Sequence, residues 1–204
     1  MKCICIGWNY PLHNEELEHR TLPRVPTLFM KPDSAQLNRG KPFFIPEFSN
    51  QIEYEAELIV RINRLGKYIE ERFAHRYYEE VGVGIDFTAR DLQYQQRKEG
   101  QPWEIAKAFD NSAVYGDFLQ KDTLPPIDQL HFSLQLNGKE VQRGFTGDML
   151  FSVDKAIAYA STFFTLKMGD IIYMGTPPGV GKVAIDDHLE GYLEGKKVLD
   201  FYVR

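Results

Sequence analysis

Glu53, Glu55 and Glu57 alternate through the run from Ile52 to Val60, IEYEAELIV. The run ends in β-branched and aliphatic residues and so predicts a strand, in which positions i, i+2 and i+4 share one face. Three carboxylates on one face repel one another and call for a compensating positive charge. A hard divalent cation such as Mg²⁺ or Mn²⁺, which takes oxygen ligands, is the simplest partner. Taken alone, the run reads first as a solvated edge strand whose charges discourage aggregation, and the rest of the chain turns the reading towards a metal. Asp86 closes the apolar segment Val81–Ile85; it is either a further ligand or an acid placed at a helix N-terminus. Lys107, within WEIAKAFD, is either a site cation or a lysine that carries its head to water along an apolar stem. His13 and Glu16 stand three apart, so one helical turn would put them on a common face, where a carboxylate orients a histidine as a general base. The same spacing also suits an ordinary surface pair. His19, His75, His131 and His188 have no comparable partner pattern, and His188, behind Asp186-Asp187, reads as a polar turn residue.

The elements that must position these groups are mostly strands. Met1–Trp8 predicts a first strand, followed over residues 9–26 by a short helical turn and an extended loop punctuated by Pro11, Pro23 and Pro26. Thr27–Met30, Phe43–Ile45, the acidic run at 52–60, and Val81–Phe87 are further strand segments. Ile69, Phe73 and Tyr77 recur every four residues and predict a helix over 67–80. A polar helix is expected over 89–99. Phe132–Leu136 and Lys139–Phe145 flank Asn137-Gly138, a type I′ hairpin pair. Ser152 is an N-cap for a helix over 153–164, and 171–174 and 197–203 are late strands. Strands outnumber helices and do not alternate with them, which argues against a doubly wound sheet and for a mainly β roll or sandwich with peripheral helices, an α+β fold.

The chain has 204 residues, 43% of them hydrophobic, enough for one sizeable core and a single domain. Its net charge of -5 leaves no basic footprint for nucleic acid or an anionic membrane. No apolar stretch approaches the ~20 residues of a membrane span, and the N-terminus lacks a signal-peptide core. Cys3 and Cys5 lie on one face of one strand and read as small core residues in a reducing compartment, so a cytoplasmic protein is expected. GVGIDF at 82–87 and TPPGVGKV at 176–183 each miss positions required of a nucleotide-binding loop.

Six stretches in order resemble the fumarylacetoacetate hydrolase family, in its compact acylpyruvase-like branch. They are Gly7-Trp8-Asn9-Tyr10 with His13 and Glu16; Lys31-Pro32-Asp33-Ser34; Tyr54–Leu58; Gly84–Gln93; Pro102-Trp103 with Ala106-Lys107; and Gly169–Ile172 with Gly175–Gly181. The resemblance implies a mixed β-sandwich roll and a homodimer using Mg²⁺ or Mn²⁺. It implies metal ligands Glu55, Glu57 and Asp86, with Glu53 an extra acid where relatives often have histidine. It further implies a lid around 11–26 carrying His13 and Glu16, an active-site lysine at Lys107, and substrate contacts from Gln93 and Thr176. Trp8 stands where many relatives have arginine, which bears on substrate preference. The expected activity is metal-dependent C–C bond cleavage in an acylpyruvate-type 2-oxo acid. Oxaloacetate decarboxylation or tautomerisation, isomerisation of an unsaturated 2-oxo dicarboxylate, and simple binding of a metal or 2-oxo acid are the alternatives.

Overall fold

The computed structural model describes residues 1–18 and 21–204; His19 and part of the expected lid lie outside them. Among the described residues the strands form three sheets. The largest runs β2 (Thr27–Lys31), β1 (Cys3–Gly7), β10 (Ile171–Tyr173), β4 (Ala56–Ile62), β5 (Tyr78–Asp86), β7 (Ala113–Gln120). β1 and β10 pair in parallel and the other neighbours antiparallel. A second, antiparallel sheet runs β13 (Lys196–Tyr202), β12 (His188–Leu193), β8 (His131–Leu136), β9 (Lys139–Phe145). A small third sheet joins β11 (Gly181–Lys182), β3 (Ile52–Tyr54) and β6 (Thr88–Ala89). The helices are α1 (Pro11–Glu16), α2 (Glu71–Ala74), α3 (Arg90–Glu99), α4 (Glu104–Lys107) and α5 (Val153–Phe163). This is the mixed β fold with peripheral helices that the sequence predicts.

Alternation along the strands builds the core on both faces of the large sheet. Leu58 and Val60 of β4 and Val81 and Val83 of β5 pack with Phe132, Ile157 and Ala160. Ile59 points to the other face, against Cys3, Cys5 and Tyr173. A further apolar cluster ties Ala56 and Ile85 to Leu134, Leu189 and Phe201 of the second sheet. Both cysteines are buried and unpaired. The hairpin turn forms as expected, with Asn137 and Gly138 at φ 53° and 77°, the left-handed pair that a type I′ turn requires. Ser152 Oγ accepts the Lys155 N–H at 3.2 Å and caps α5.

Three expectations are corrected. The helix over 67–80 reduces to α2, because Tyr68 takes φ 53°, the Ile69 N–H donates to Ser161 Oγ at 2.8 Å, and Tyr78 already pairs with Ile62. Tertiary bonds thus override the four-residue periodicity. The acidic strand is interrupted at Glu55. There the Ala56 N–H donates to Gln142 Oε1 at 2.9 Å and the Ala56 carbonyl accepts Thr176 Oγ1–H at 2.8 Å, so side chains replace a strand partner. His188 opens β12 and is no turn residue.

Candidate metal and catalytic site

The break at Glu55 separates the three glutamates. Glu53, on β3, turns to the Arg90 guanidinium, with Nε 2.7 Å away. Glu55, Glu57 and Asp86 each offer a carboxylate oxygen to one point, with all three atoms within 4.8 Å of one another and all three residues buried. Strand pairing produces this convergence. The Asp86 N–H donates to the Glu55 carbonyl at 2.9 Å, and Glu57 pairs opposite Gly84. A side chain at Gly84 would strike Tyr173 at 2.7 Å and the Val114 carbonyl at 2.9 Å, so only glycine permits the packing beside these acids.

Cations hold the cluster in place. Lys107 Nζ donates to Glu55 Oε2 at 2.6 Å and Asp86 Oδ2 at 2.8 Å. Arg90 bonds Glu55 as well as Glu53, and donates to Gln93 Oε1. Lys31 Nζ lies 2.7 Å from Asp86 Oδ1 and donates to Ser112 Oγ at 2.9 Å and to the Lys107 carbonyl. Lys31 and Asp86 are close enough to pair as ions but not aligned to hydrogen-bond, so Oδ1 is a buried oxygen with no hydrogen-bond donor. Burial works against ionisation of Glu55, yet Lys107 and then Arg90 outweigh it and hold its carboxyl well below the usual range. Burial also drives Glu57 the other way, reinforced by the neighbouring charges of Asp86 and Glu55, so its carboxyl sits well above the usual range. Burial disfavours the Lys107 charge, but Asp86 and Glu55 more than restore it, and its value is raised.

These residues fit a hard divalent ion. The convergent donors are all carboxylate oxygens of buried residues, and burial with the charges of Asp86 and Glu55 raises the Glu57 carboxyl, a strain that a cation among them would relieve.

His13 and Glu16 sit on α1, which starts at Pro11 in the first helical position. Asn9 anchors its entry by donating to the Phe151 and Met174 carbonyls and accepting the Phe151 N–H. His13 Nδ1 lies 3.0 Å from Glu16 Oε2, and Glu16 Oε1 accepts the Gly179 N–H at 3.0 Å. Burial raises the Glu16 carboxyl, but these bonds prevail and its value is lowered. His13 is buried and lines one cavity with Glu55, Glu57, Asp86, Arg90, Gln93, Lys107 and Thr176. Every site residue expected from the sequence thus reaches this cavity except Glu16, which stands behind His13. Thr176 uses its hydroxyl on the Ala56 carbonyl and on the Gln142 amide at 2.8 Å. The cavity holds only about 20 Å³, space for roughly one water. A larger concavity, of about 970 Å³, is lined by Met30, Lys31, Phe48, Ile105 and Phe109 among others and includes none of Glu55, Glu57 and Asp86.

Lys31 and Arg90 are the site residues that the sequence pattern does not single out. The available signals were a lone charge ending the apolar strand Thr27–Lys31 and an arginine four residues beyond Asp86.

The model of the family described as fumarylacetoacetate (FAA) hydrolase C-terminal matches residues 2–201. The chain belongs to this family. Among its relatives, the mitochondrial oxaloacetate tautomerase FAHD1 of Rattus norvegicus is 36% identical over 200 residues, covering 98% of this chain and 90% of the relative. The oxaloacetate tautomerase YcgM of Escherichia coli is 38% identical over 195 residues, covering 95% and 89%. The crystal structure of fumarylpyruvate hydrolase from Pseudomonas aeruginosa, in complex with Mn²⁺ and pyruvate, superposes with a TM-score of 0.92 at 32% identity, covering 100% and 89%. These family members are enzymes of 2-oxo acid chemistry by name, and one holds a divalent metal. No helix among the described residues is long and apolar enough to cross a membrane.

Proposed function

We propose that this protein is a divalent-metal-dependent enzyme that cleaves the bond between carbons 3 and 4 of an acylpyruvate-type 2-oxo acid. One observation carries the reading: a buried Glu55–Glu57–Asp86 cluster shares its cavity with Lys107 and with a histidine already oriented by a carboxylate. An Mg²⁺ or Mn²⁺ ion held by the three carboxylates supplies Lewis-acidic charge that offsets negative charge developing on the substrate's oxygens. The chain's own groups account for the rest. Glu16 accepts Nδ1–H of His13 and leaves Nε2 as the basic nitrogen. His13 takes a proton from water, and the hydroxide adds to the distal carbonyl. The carbon–carbon bond breaks, its electron pair leaves with the pyruvate fragment as an enolate, and a proton returned to carbon 3 gives pyruvate. Lys107, kept cationic by Asp86 and Glu55, faces that charge. The free amide N–H₂ of Gln93, whose oxygen is taken by Arg90, orients the substrate. Closure of α1 shuts out bulk water.

A second reading, oxaloacetate tautomerisation or decarboxylation, is supported by the names of the two tautomerase relatives. It needs the same enolate without attack by water. The proposal takes residues 1–204 as one catalytic domain with a mobile lid around 11–26, working as a cytoplasmic homodimer. Absorbance assays with acetylpyruvate and with oxaloacetate, each with Mg²⁺ and with EDTA, test it. Metal-dependent loss of acetylpyruvate with stoichiometric pyruvate is expected; oxaloacetate turnover alone would select the second reading, and EDTA-resistant turnover would end the metal proposal.

A further inference from the structure

Gln142 belongs to β9 in the second sheet, yet its side chain reaches the largest one. It is buried and does not line the cavity. Its amide works on both sides. Oε1 accepts the Ala56 N–H at 2.9 Å, while Nε2 donates to Thr176 Oγ1 at 2.8 Å and to the Pro177 carbonyl at 2.9 Å. Thr176 Oγ1–H in turn donates to the Ala56 carbonyl at 2.8 Å, which closes a ring of bonds around one residue. That residue stands between the proposed metal ligands Glu55 and Glu57. The ring needs one acceptor and two donors in a single planar group, which an amide supplies and a carboxylate does not.

The same amide fixes loop 175–179. The Met174 N–H keeps the strand pattern by donating to the Leu58 carbonyl at 3.0 Å. The next N–H, of Gly175, turns instead to Glu57 Oε2 at 2.7 Å. At the far end the Gly179 N–H donates to Glu16 Oε1 at 3.0 Å. Both glycines hold positive φ, 87° and 103°, and a Cβ there would strike Asn9 and the Val141 carbonyl respectively. Between them Pro177 and Pro178 have restricted φ and no N–H. The loop therefore has two working ends, one on a carboxylate of the acidic cluster and one on the carboxylate behind His13. Gln142 grips its middle.

Resting on the function proposed above, we infer that Gln142 is a positioning residue for both halves of the reaction site. Through Ala56 it aims Glu55 and Glu57, and through loop 175–179 it sets Glu16 behind His13. Loss of the amide leaves the Ala56 N–H and the Pro177 carbonyl without these buried partners, and both segments must move to recover hydrogen bonds.

Mn²⁺ titration by electron paramagnetic resonance, on the parent, Gln142→Met, Gln142→Asn and Ser161→Ala, tests the inference. The same four are assayed for kcat at saturating metal, on whichever of acetylpyruvate and oxaloacetate the parent turns over. Gln142→Met keeps the length and removes every bond. Gln142→Asn keeps the amide on a shorter stem and serves if the first variant does not fold. Ser161 Oγ accepts the Ile69 N–H at 2.8 Å and does not line the cavity, so it is a buried polar control. Either Gln142 variant should weaken Mn²⁺ binding about 10- to 100-fold and lower kcat by a similar factor. Ser161→Ala should leave both within about twofold, whatever it costs in stability. Glu16→Ala combined with a folded Gln142 variant should lose less kcat than the product of the single losses, because both break one path to His13. Mn²⁺ affinity within about twofold of the parent in a folded Gln142 variant, or a fully multiplicative double variant, would overturn the inference. A parent that binds no Mn²⁺ would strike the proposed function instead, so the two failures are distinguishable.

Discussion

Two groups of three potential metal ligands occur among the described residues, Glu55–Glu57–Asp86 and His188–Glu190–Asp200. The first is buried. Its oxygens converge from a broken strand and its partner, held there by Lys107, Arg90 and Lys31. The second lies along one face of β12 and β13, partly exposed, and Lys197 already bonds both Glu190 at 3.0 Å and Asp200 at 2.6 Å. Glu190 and Asp200 are satisfied by a half-exposed lysine, and water screens what remains. Proximity of ligand types is therefore a weak signal, and the stronger one is a cluster whose burial leaves positive charge insufficient. Glu57 registers that insufficiency by its raised carboxyl value, whereas Asp200 is lowered by its bonds to His188 and Lys197.

The largest expected contrast is in folding. Glu55→Ala strips Lys107 and Arg90 of their shared partner and should cost about 3–5 kcal/mol in denaturant titration, because buried cations are left uncompensated. Asp200→Asn should cost about 1 kcal/mol or less. Equal costs would erase the distinction between the regions.

Next comes catalysis. His13→Ala should lower kcat for acetylpyruvate by roughly 10²–10⁴-fold while metal affinity stays within about twofold. His188→Ala should leave both unchanged. Glu16→Gln should lower kcat less than His13→Ala does, since the base remains and only its orientation is weakened; stopped assays at saturating substrate would rank the three.

The smallest effect is the pH dependence of the exposed group. The Asp200 carboxyl is depressed by hydrogen bonds from His188 first and Lys197 second, so its stabilisation is present above its unfolded value near 3.8 and is lost as pH falls through the lower folded value. Melting of the parent and Asp200→Asn should differ slightly at neutral pH and converge as pH falls below the unfolded value, with the difference shrinking in high salt. A salt-insensitive difference would mean that this group is less solvated than its exposure indicates.

Much of the fold was legible because its signals are local. Asn137-Gly138 requires a type I′ turn, Ser152 caps a helix, and Val81–Ile85 has the apolar character of a buried strand. The helix over 67–80 misled because its period was real, while Ser161 and Ile62, both distant in sequence, claimed the backbone. The site was legible as residue types in order, and periodicity alone placed Glu53 with Glu55 and Glu57. The break that sends Glu53 to Arg90 depends on Gln142 and Thr176, which no spacing rule connects to residue 56. Lys31 and Arg90 escaped for the same reason: a buried counter-ion is recognised by the acid that it meets in space.

The central claim is that the buried carboxylates, and not the exposed group, hold one divalent ion. Mn²⁺ titration followed by electron paramagnetic resonance, on the parent chain, Asp86→Asn and Asp200→Asn, tests it most directly. The account predicts one bound Mn²⁺ per chain in the parent and in Asp200→Asn, and at least about a hundredfold weaker binding in Asp86→Asn. Retained tight binding in Asp86→Asn, or its loss in Asp200→Asn, would contradict it.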